Sequence, residues 1–276
     1  MVLGEKPKTF GDQVTADHLI CKDGSGEGDE YFDKATCAVV IYDRAVDWTA
    51  CYPKATKSAA DTVEAFKHFA GPLKKVKSLY ADNAPELYAS AKRLGWSFPS
   101  STPGQPQSNG LAERMVRRVK EGGRSCLVQS GLSREWWAYA TVFFCFARNI
   151  NVVDGDSSYN RRHKLGHCKA KKVPFGHMVE FLPVANPNDQ NYTFYKKTRT
   201  GIMIGYHEQP GGKWSGGYIL VEFAALRASP DLPPSSCRIH RTSEVIGYDP
   251  KVLYFPLAEH RNASERMVIS REHISG

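Results

Sequence analysis

The amino-acid sequence predicts an α/β chain, in which a mixed sheet flanked by helices is followed by a small β-rich domain. Three observations lead there. Residues 13–21 alternate in polarity, and residues 36–42 form an unbroken β-rich apolar run fit for a buried central strand. Helix signals then begin at Ser58 and again at Asn109-Gly110. From Phe175 to Tyr248 the pattern changes to short β-runs with glycine turns, such as Gly201 to Tyr206 and Gly217 to Phe223.

In order along the chain, residues 47–52 pair beside the apolar strand. Ser58 followed by Asp61 reads as a capping box for a helix with Val63, Phe66 and Phe69 on one face. Val76 to Tyr80 is a short strand, and Pro85 to Leu94 a short helix. Prolines 99, 103 and 106 with glycines 104 and 110 make residues 99–110 a loop, expected to be mobile. Leu111, Met115, Val119, Cys126 and Leu127 give the next helix its apolar period, which Gly122-Gly123 is expected to weaken or bend. Ser133 can cap a further helix whose buried stripe is Trp136, Ala140, Phe143, Phe144 and Ala147. Gly211-Gly212 and Gly216-Gly217 bracket turns. The domains expected are an extension over 1–12, a core over 13–155, a basic linker over 156–174, the β-rich domain over 175–250 and a charged, poorly packed tail over 251–276.

Among 276 residues, 41% are hydrophobic and 24% charged, which suits a globular chain, and the net charge of +8 favours polyanionic partners. No apolar run approaches the roughly 20 residues that span a membrane, and the N-terminus lacks the apolar core of a signal peptide. Seven cysteines, scattered and never spaced Cys-x-x-Cys, read as reduced thiols of an intracellular protein. His163, His167 and Cys168 have ligand-like spacing, but no cysteine pair completes a zinc site.

Chemistry is carried by acids in particular contexts. Asp17 lies in the alternating strand Val14 to Ile20. Asp82 follows the strand ending at Tyr80, and Glu113, separated from it by thirty residues, opens a basic helix. Brought together, three carboxylates form a hard-oxygen site for divalent cations, suited to phosphoryl transfer. Asp23 and Asp43 compete with Asp17; a turn or ion-pair role suits Asp43 better. On the same helix Glu113, Arg117, Lys120 and Arg124 share a side, which is either a solvated face or a DNA-facing one. Arg161, Arg162, Lys164, Lys169, Lys171 and Lys172 follow without an intervening acid, as a phosphate-binding cluster or a solvated linker.

Pro106-Gln107-Ser108-Asn109-Gly110-Leu111-Ala112-Glu113-Arg114, together with Asp82-Asn83 and Asp17, resembles the catalytic core of retroviral and copia-type retrotransposon integrases. The resemblance runs through Ser130-Gly131-Leu132, Trp136-Trp137, Pro174-Phe175-Gly176 and Gly201 to Tyr206, covering about Val14 to Val245. The sequence departs from the family where Ala84-Pro85 follows Asn83 and where the interval between the last two carboxylates is short. The resemblance implies a ribonuclease H-like core and an Asp17, Asp82, Glu113 triad. It implies two Mg²⁺ or Mn²⁺ ions, with Asp17 bridging both and Asp82 and Glu113 each binding one. It also implies 3′-end processing and strand transfer of element DNA. Double-stranded DNA, held by Arg114, Arg117, Lys120, Arg124 and the 161–172 cluster, and further copies of the chain are the expected partners, with no membrane. Asn83 could touch DNA or shape a turn; the turn role suits Asn109. Integration implies action in the nucleus, and the chain is expected to be a fragment of a polyprotein without the zinc-binding region that precedes the core. A remnant that only binds nucleic acid and a different ribonuclease H-like nuclease are the alternatives.

Overall fold

The computed structural model describes residues 7–21, 32, 34–72, 75–99, 110–183 and 196–263. β1 (Val14–Ile20), β2 (Cys37–Asp43) and β3 (Trp48–Lys54) form an antiparallel meander. β4 (Leu79–Tyr80) adds to β1 in parallel, giving the order β3-β2-β1-β4. Helices cover both faces: α1 (Ala59–Ala70) and α2 (Pro85–Arg93) pack together on one, α3 (Gly110–Ser130) and α4 (Trp137–Ile150) on the other. This is the α/β class that the sequence predicts. β2 shows why its run is unbroken. Val39 and Ile41 pack with Phe66 of α1, while Ala38 and Val40 pack with Met115 of α3, so both faces are apolar.

The Ser58 hydroxyl accepts from the Asp61 backbone N–H at 3.1 Å and caps α1. That helix buries Thr62, Ala65, Phe66 and Phe69, with Val63 only half-buried. The strand expected over Val76 to Tyr80 shortens to Leu79–Tyr80. Residue 77 instead bonds to Gly11 at 2.7 Å, and Ser78 bridges to Ser97. Gly122-Gly123 does not interrupt the helix. α3 is continuous for 21 residues, and α4 crosses it at these glycines. A Cβ on Gly122 would stand 2.3 Å from the Phe144 ring, and one on Gly123 would stand 2.7 Å from the Thr141 methyl. The glycines serve close helix packing.

The second sheet is antiparallel throughout. It contains β5 (Met178–Phe181), β6 (Arg199–Gln209), β7 (Lys213–Glu222), β8 (Ile239–Thr242) and β9 (Val245–Ile246), in the order β8-β7-β6-β5-β9. Gly211-Gly212 turns the β6–β7 hairpin, whereas Gly216 and Gly217 lie inside β7 at a register shift. The hairpin tip seats on the first unit. The Gly211 N–H donates to the His68 carbonyl at 2.7 Å, and a Cβ on Gly212 would stand 2.4 Å from Trp48. Phe143 and Phe146 of α4 meet Tyr206 of β6 at 5.5 and 4.9 Å between centroids, so the two units share one apolar core.

The 156–174 stretch carries α5 (Ser158–His163), capped by Ser157. Within the tail residues 251–254 are exposed, but the segment after them is packed, contrary to expectation. Leu257 is buried, and Arg261 Nε donates to the Gly131 carbonyl at 2.6 Å. Among the described residues no helix is long and apolar enough to cross a membrane.

Candidate active site

β1 sorts its side chains by the two-residue period of a strand. Val14 and Ala16 pack with Phe66, and His18 reaches Thr62, all on the α1 side. Leu19 packs with Met115 and Val119 of α3. Asp17 therefore shares the α3 side, half-buried, and its Oδ1 accepts from the His18 backbone N–H at 2.7 Å. Asp82 lies two residues past β4, the parallel neighbour of β1. Its Oδ1 accepts from the Ala84 N–H at 3.2 Å, a turn that leads into Pro85 at the start of α2. Glu113 is exposed in the first turn of α3.

The charges of Asp82 and Glu113 are felt at Asp17. Burial raises the Asp17 pKa most. The His18 hydrogen bond opposes it, the Asp82 and Glu113 charges raise it further, and Lys57 lowers it. Donor type and sign of field fit a divalent cation: three hard-oxygen anions from three elements, each disfavouring the charge of Asp17 or adding to it. Among the described residues, however, no three His, Cys, Asp or Glu side chains stand close enough to form a ready-made metal site.

A second polar group adjoins Asp17, and sequence reasoning missed it. Lys57 Nζ pairs with Glu86 Oε1 at 3.3 Å. The imidazole of His18 lies 3.8 Å from the same oxygen through Nδ1 and 3.3 Å from Thr62 Oγ1 through Nε2. Burial, then the Lys57 charge, lowers the His18 pKa. The signal was positional: Lys57 precedes the cap of α1 and Glu86 opens α2, both beside β1.

The basic candidates divide. Arg114, Arg117, Lys120 and Arg124 are exposed on α3, and Lys164, Lys169 and Lys172 are exposed beyond α5, as is Asn83 before α2. Arg162 is not a surface cation. It is 2% exposed, its guanidinium lying 4.0 Å from the Phe10 centroid, 4.5 Å from Trp48 and 5.0 Å from Phe69, and it donates to the Phe69 carbonyl. The sequence gives charge but not direction, and α5 turns this residue inward. Arg161 donates to the Val46 carbonyl at 3.1 Å and lies 3.8 Å from both Asp47 and Asp156. Lys171 Nζ donates to the Val245 carbonyl at 2.6 Å, tying the segment to the second sheet.

Asp43 has the turn role expected of it: buried, it accepts from Gly11, Ala45 and Val46 N–H groups at 2.7, 2.9 and 3.1 Å. His163 packs edge-on to Trp48, and His167 Nδ1 meets Ser157 Oγ at 3.0 Å. Asp23, Asn109 and most of the 99–110 loop lie outside the described residues.

No protein-family model matches the chain. Curated relatives bear out the resemblance to copia-type Pol polyproteins. The chain is 28% identical over 159 residues to the retrovirus-related Pol polyprotein from transposon TNT 1-94 of Nicotiana tabacum, covering 50% of this chain and 11% of the relative. It is 30% identical over 179 residues to that from transposon RE1 of Arabidopsis thaliana, covering 61% of this chain and 12% of the relative. The chain thus spans only a small part of these polyproteins. Solved structures similar to it include the catalytic core domain of HTLV-2 integrase in complex with magnesium, at 17% identity and TM-score 0.42, covering 56% of this chain and 98% of that one. The catalytic core domain of BIV integrase is similar at 16% identity and TM-score 0.38, covering 54% and 92%.

Proposed function

We propose that this chain is the DNA-joining part of a retrotransposon polyprotein, a metal-dependent polynucleotidyl transferase that processes 3′ ends and transfers them into target DNA. What supports the reading is that Asp17 lies on a central strand, Asp82 just past its parallel neighbour and Glu113 on a basic helix, with the charges of Asp82 and Glu113 both felt at Asp17. Asp17, Asp82 and Glu113 would hold one or two divalent cations. Such cations stabilise charge on the attacking and leaving oxygens of an in-line displacement at phosphorus.

The residues of the chain would divide the remaining work. The half-buried backbone of β1 fixes Asp17, whose Oδ1 is oriented by the neighbouring N–H. The Asp82 turn and the first turn of α3 would supply the other two carboxylates from separate elements. Arg117, Lys120 and Arg124 follow Glu113 on exposed positions of α3 and would hold backbone phosphates without reading sequence. Lys164, Lys169 and Lys172 would extend that surface. Further copies of the chain are proposed as partners in spanning two DNA ends, and the nucleus as the place of action.

The test is joining of a labelled element end to a plasmid in Mg²⁺ or Mn²⁺. Asp17→Asn, Asp82→Asn and Glu113→Gln should each lose joining by at least about a hundredfold, because a transition-state contact is removed. Each should retain DNA binding, because phosphate affinity comes from lysine and arginine. Parent protein that binds DNA but never joins it would overturn the enzymatic reading in favour of a DNA-binding remnant. Cleavage of branched or hybrid DNA without joining would point to another ribonuclease H-like nuclease.

A further inference from the structure

Along the open edge of β3, where β6 arrives from the second sheet, α1 and α4 leave a cavity of about 430 Å³. Its walls are mainly apolar, with the rings of Phe146 and Tyr206 among them. Among the polar residues lining the same space are Tyr52, His68 and Glu208; Thr49, Asn149 and His207 line it too, their side chains engaged in hydrogen bonds elsewhere. Among the described residues none of Tyr52, His68 and Glu208 makes a side-chain hydrogen bond, and His68 Nδ1 is shielded from bulk water. A buried polar atom left unpaired, as His68 Nδ1 is, costs stability, and an apolar cavity with a few polar groups in its wall is the usual form of a small-molecule site.

Charge narrows the ligand. Burial raises the Tyr52 hydroxyl pKa, and it raises the Glu208 carboxyl to about 8 against the opposing charge of Arg162. Burial, then Lys54 and Arg162, lowers the His68 imidazole. All three are therefore largely neutral at pH 7. At the rim Lys54 Nζ and Glu64 Oε2 neutralise each other at 2.7 Å. An ion entering here would lose its hydration, and the nearest full charge, Arg162, is already enclosed by the rings of Phe10, Trp48 and Phe69. A neutral planar group bearing both a donor and an acceptor loses less, and it can satisfy the three side chains between the aromatic walls.

We infer that this cavity is a binding site for a small neutral aromatic amide or lactam, held by Tyr52, His68 and Glu208 at the seam between the two sheets. The site is separate from the carboxylate triad and stands whether or not the chain joins DNA.

Three probes of one size and different charge test it: benzamide, benzylamine and benzoate, each titrated into the full chain at pH 7 with thermal melting and calorimetry. Benzamide should raise Tm by about 3 to 6 °C at ten times its Kd, and the two ions by less than a third of that. Val142→Phe, which places a ring into the cavity, should abolish the response. Tyr52→Phe keeps the ring and loses the hydroxyl, so it should weaken benzamide at least threefold; it decides alone if the Val142 variant does not fold. No response to benzamide would mean that the cavity holds water only. Equal responses to all three probes, or a benzamide response unchanged in both variants, would place binding elsewhere. Any of these results overturns the inference.

Discussion

Arg162 and Arg117 are the same side chain put to opposite uses. At the seam between the two sheets, Arg162 is enclosed by the rings of Phe10, Trp48 and Phe69 and donates to a carbonyl. Burial lowers its pKa to about 10, and it stays protonated at pH 7. On α3, Arg117 stands in solvent, one turn from the exposed Glu113. The seam encloses its charge among rings, whereas on α3 the acid and the cations alike stand exposed to solvent. Charges that serve the fold find partners within it, and charges left without them are available to a ligand.

Removal of Arg162 is the most severe test of that contrast. Arg162→Ala opens a cavity among three aromatic rings and strands the Phe69 carbonyl, so it should cost about 3 kcal/mol or more. Urea unfolding measures it, with Arg117→Ala as the reference. A loss below about 1 kcal/mol would mean that the enclosed guanidinium is a passenger.

This contrast also marks what was legible beforehand. Alternation in Val14–Ile20 and the apolar run of Cys37–Asp43 gave strand faces directly, because the two-residue period is local. Ser58 and Asp61 announced the start of α1 for the same reason. Arg162 was misjudged as a surface cation, because burial of a cation depends on rings over ninety residues away in sequence, such as Phe69. Gly122-Gly123 read as a weakness because the partner that needs the space, Phe144, is a tertiary one. In the candidate site, Asp17, Asp82 and Glu113 were identifiable from the family resemblance and their strand or helix context. The Lys57–Glu86–His18 group belongs to no sequence motif and emerges only when α1 and α2 meet β1.

The glycines sharpen the same comparison at an intermediate magnitude. Gly122→Ala should destabilise by about 1–2 kcal/mol, because overpacking against the Phe144 ring exceeds the helix-propensity gain of about 1 kcal/mol. Gly110→Ala meets nothing within 4 Å and should be neutral or slightly stabilising. Thermal melts of both variants compare a packed position and an open one on a single helix. Equal effects would mean that α3 and α4 separate easily where they cross.

The triad region should respond in the opposite sense. Burial first, then Asp82 and Glu113, raises the Asp17 pKa in the folded chain. The folded state therefore holds the Asp17 proton more tightly than the unfolded state does. Its ionisation costs nothing below the unfolded value near 3.9, and it subtracts stability as pH rises through the folded value. Asp17→Asn keeps the oxygen that accepts from His18 and removes the charge. In chelator it should match the parent near pH 3.5 and exceed it at pH 7. Mg²⁺ should raise the parent melting temperature more than that of the variant. A parent that is the more stable of the two at pH 7 in chelator would show that the three carboxylates are not strained against one another.

The smallest effect on stability falls on the α3 cations, and there the prediction is about binding. Arg117→Ala and Lys120→Ala remove exposed side chains that pack against nothing essential, so each should leave unfolding free energy within about 0.5 kcal/mol of the parent. If each holds one DNA phosphate, each loss should also reduce the slope of log affinity against log salt by about 0.9, because one fewer set of counterions is released on binding. The reduction should be the same for every duplex sequence tested, since phosphate contacts carry no sequence information. Arg162→Ala, tested under conditions where it remains folded, should leave the slope unchanged, because an enclosed guanidinium meets no phosphate. Fluorescence anisotropy over a range of salt concentrations separates the two. A slope altered by Arg162→Ala but not by Arg117→Ala or Lys120→Ala would reverse the assignment of structural and ligand-facing charge.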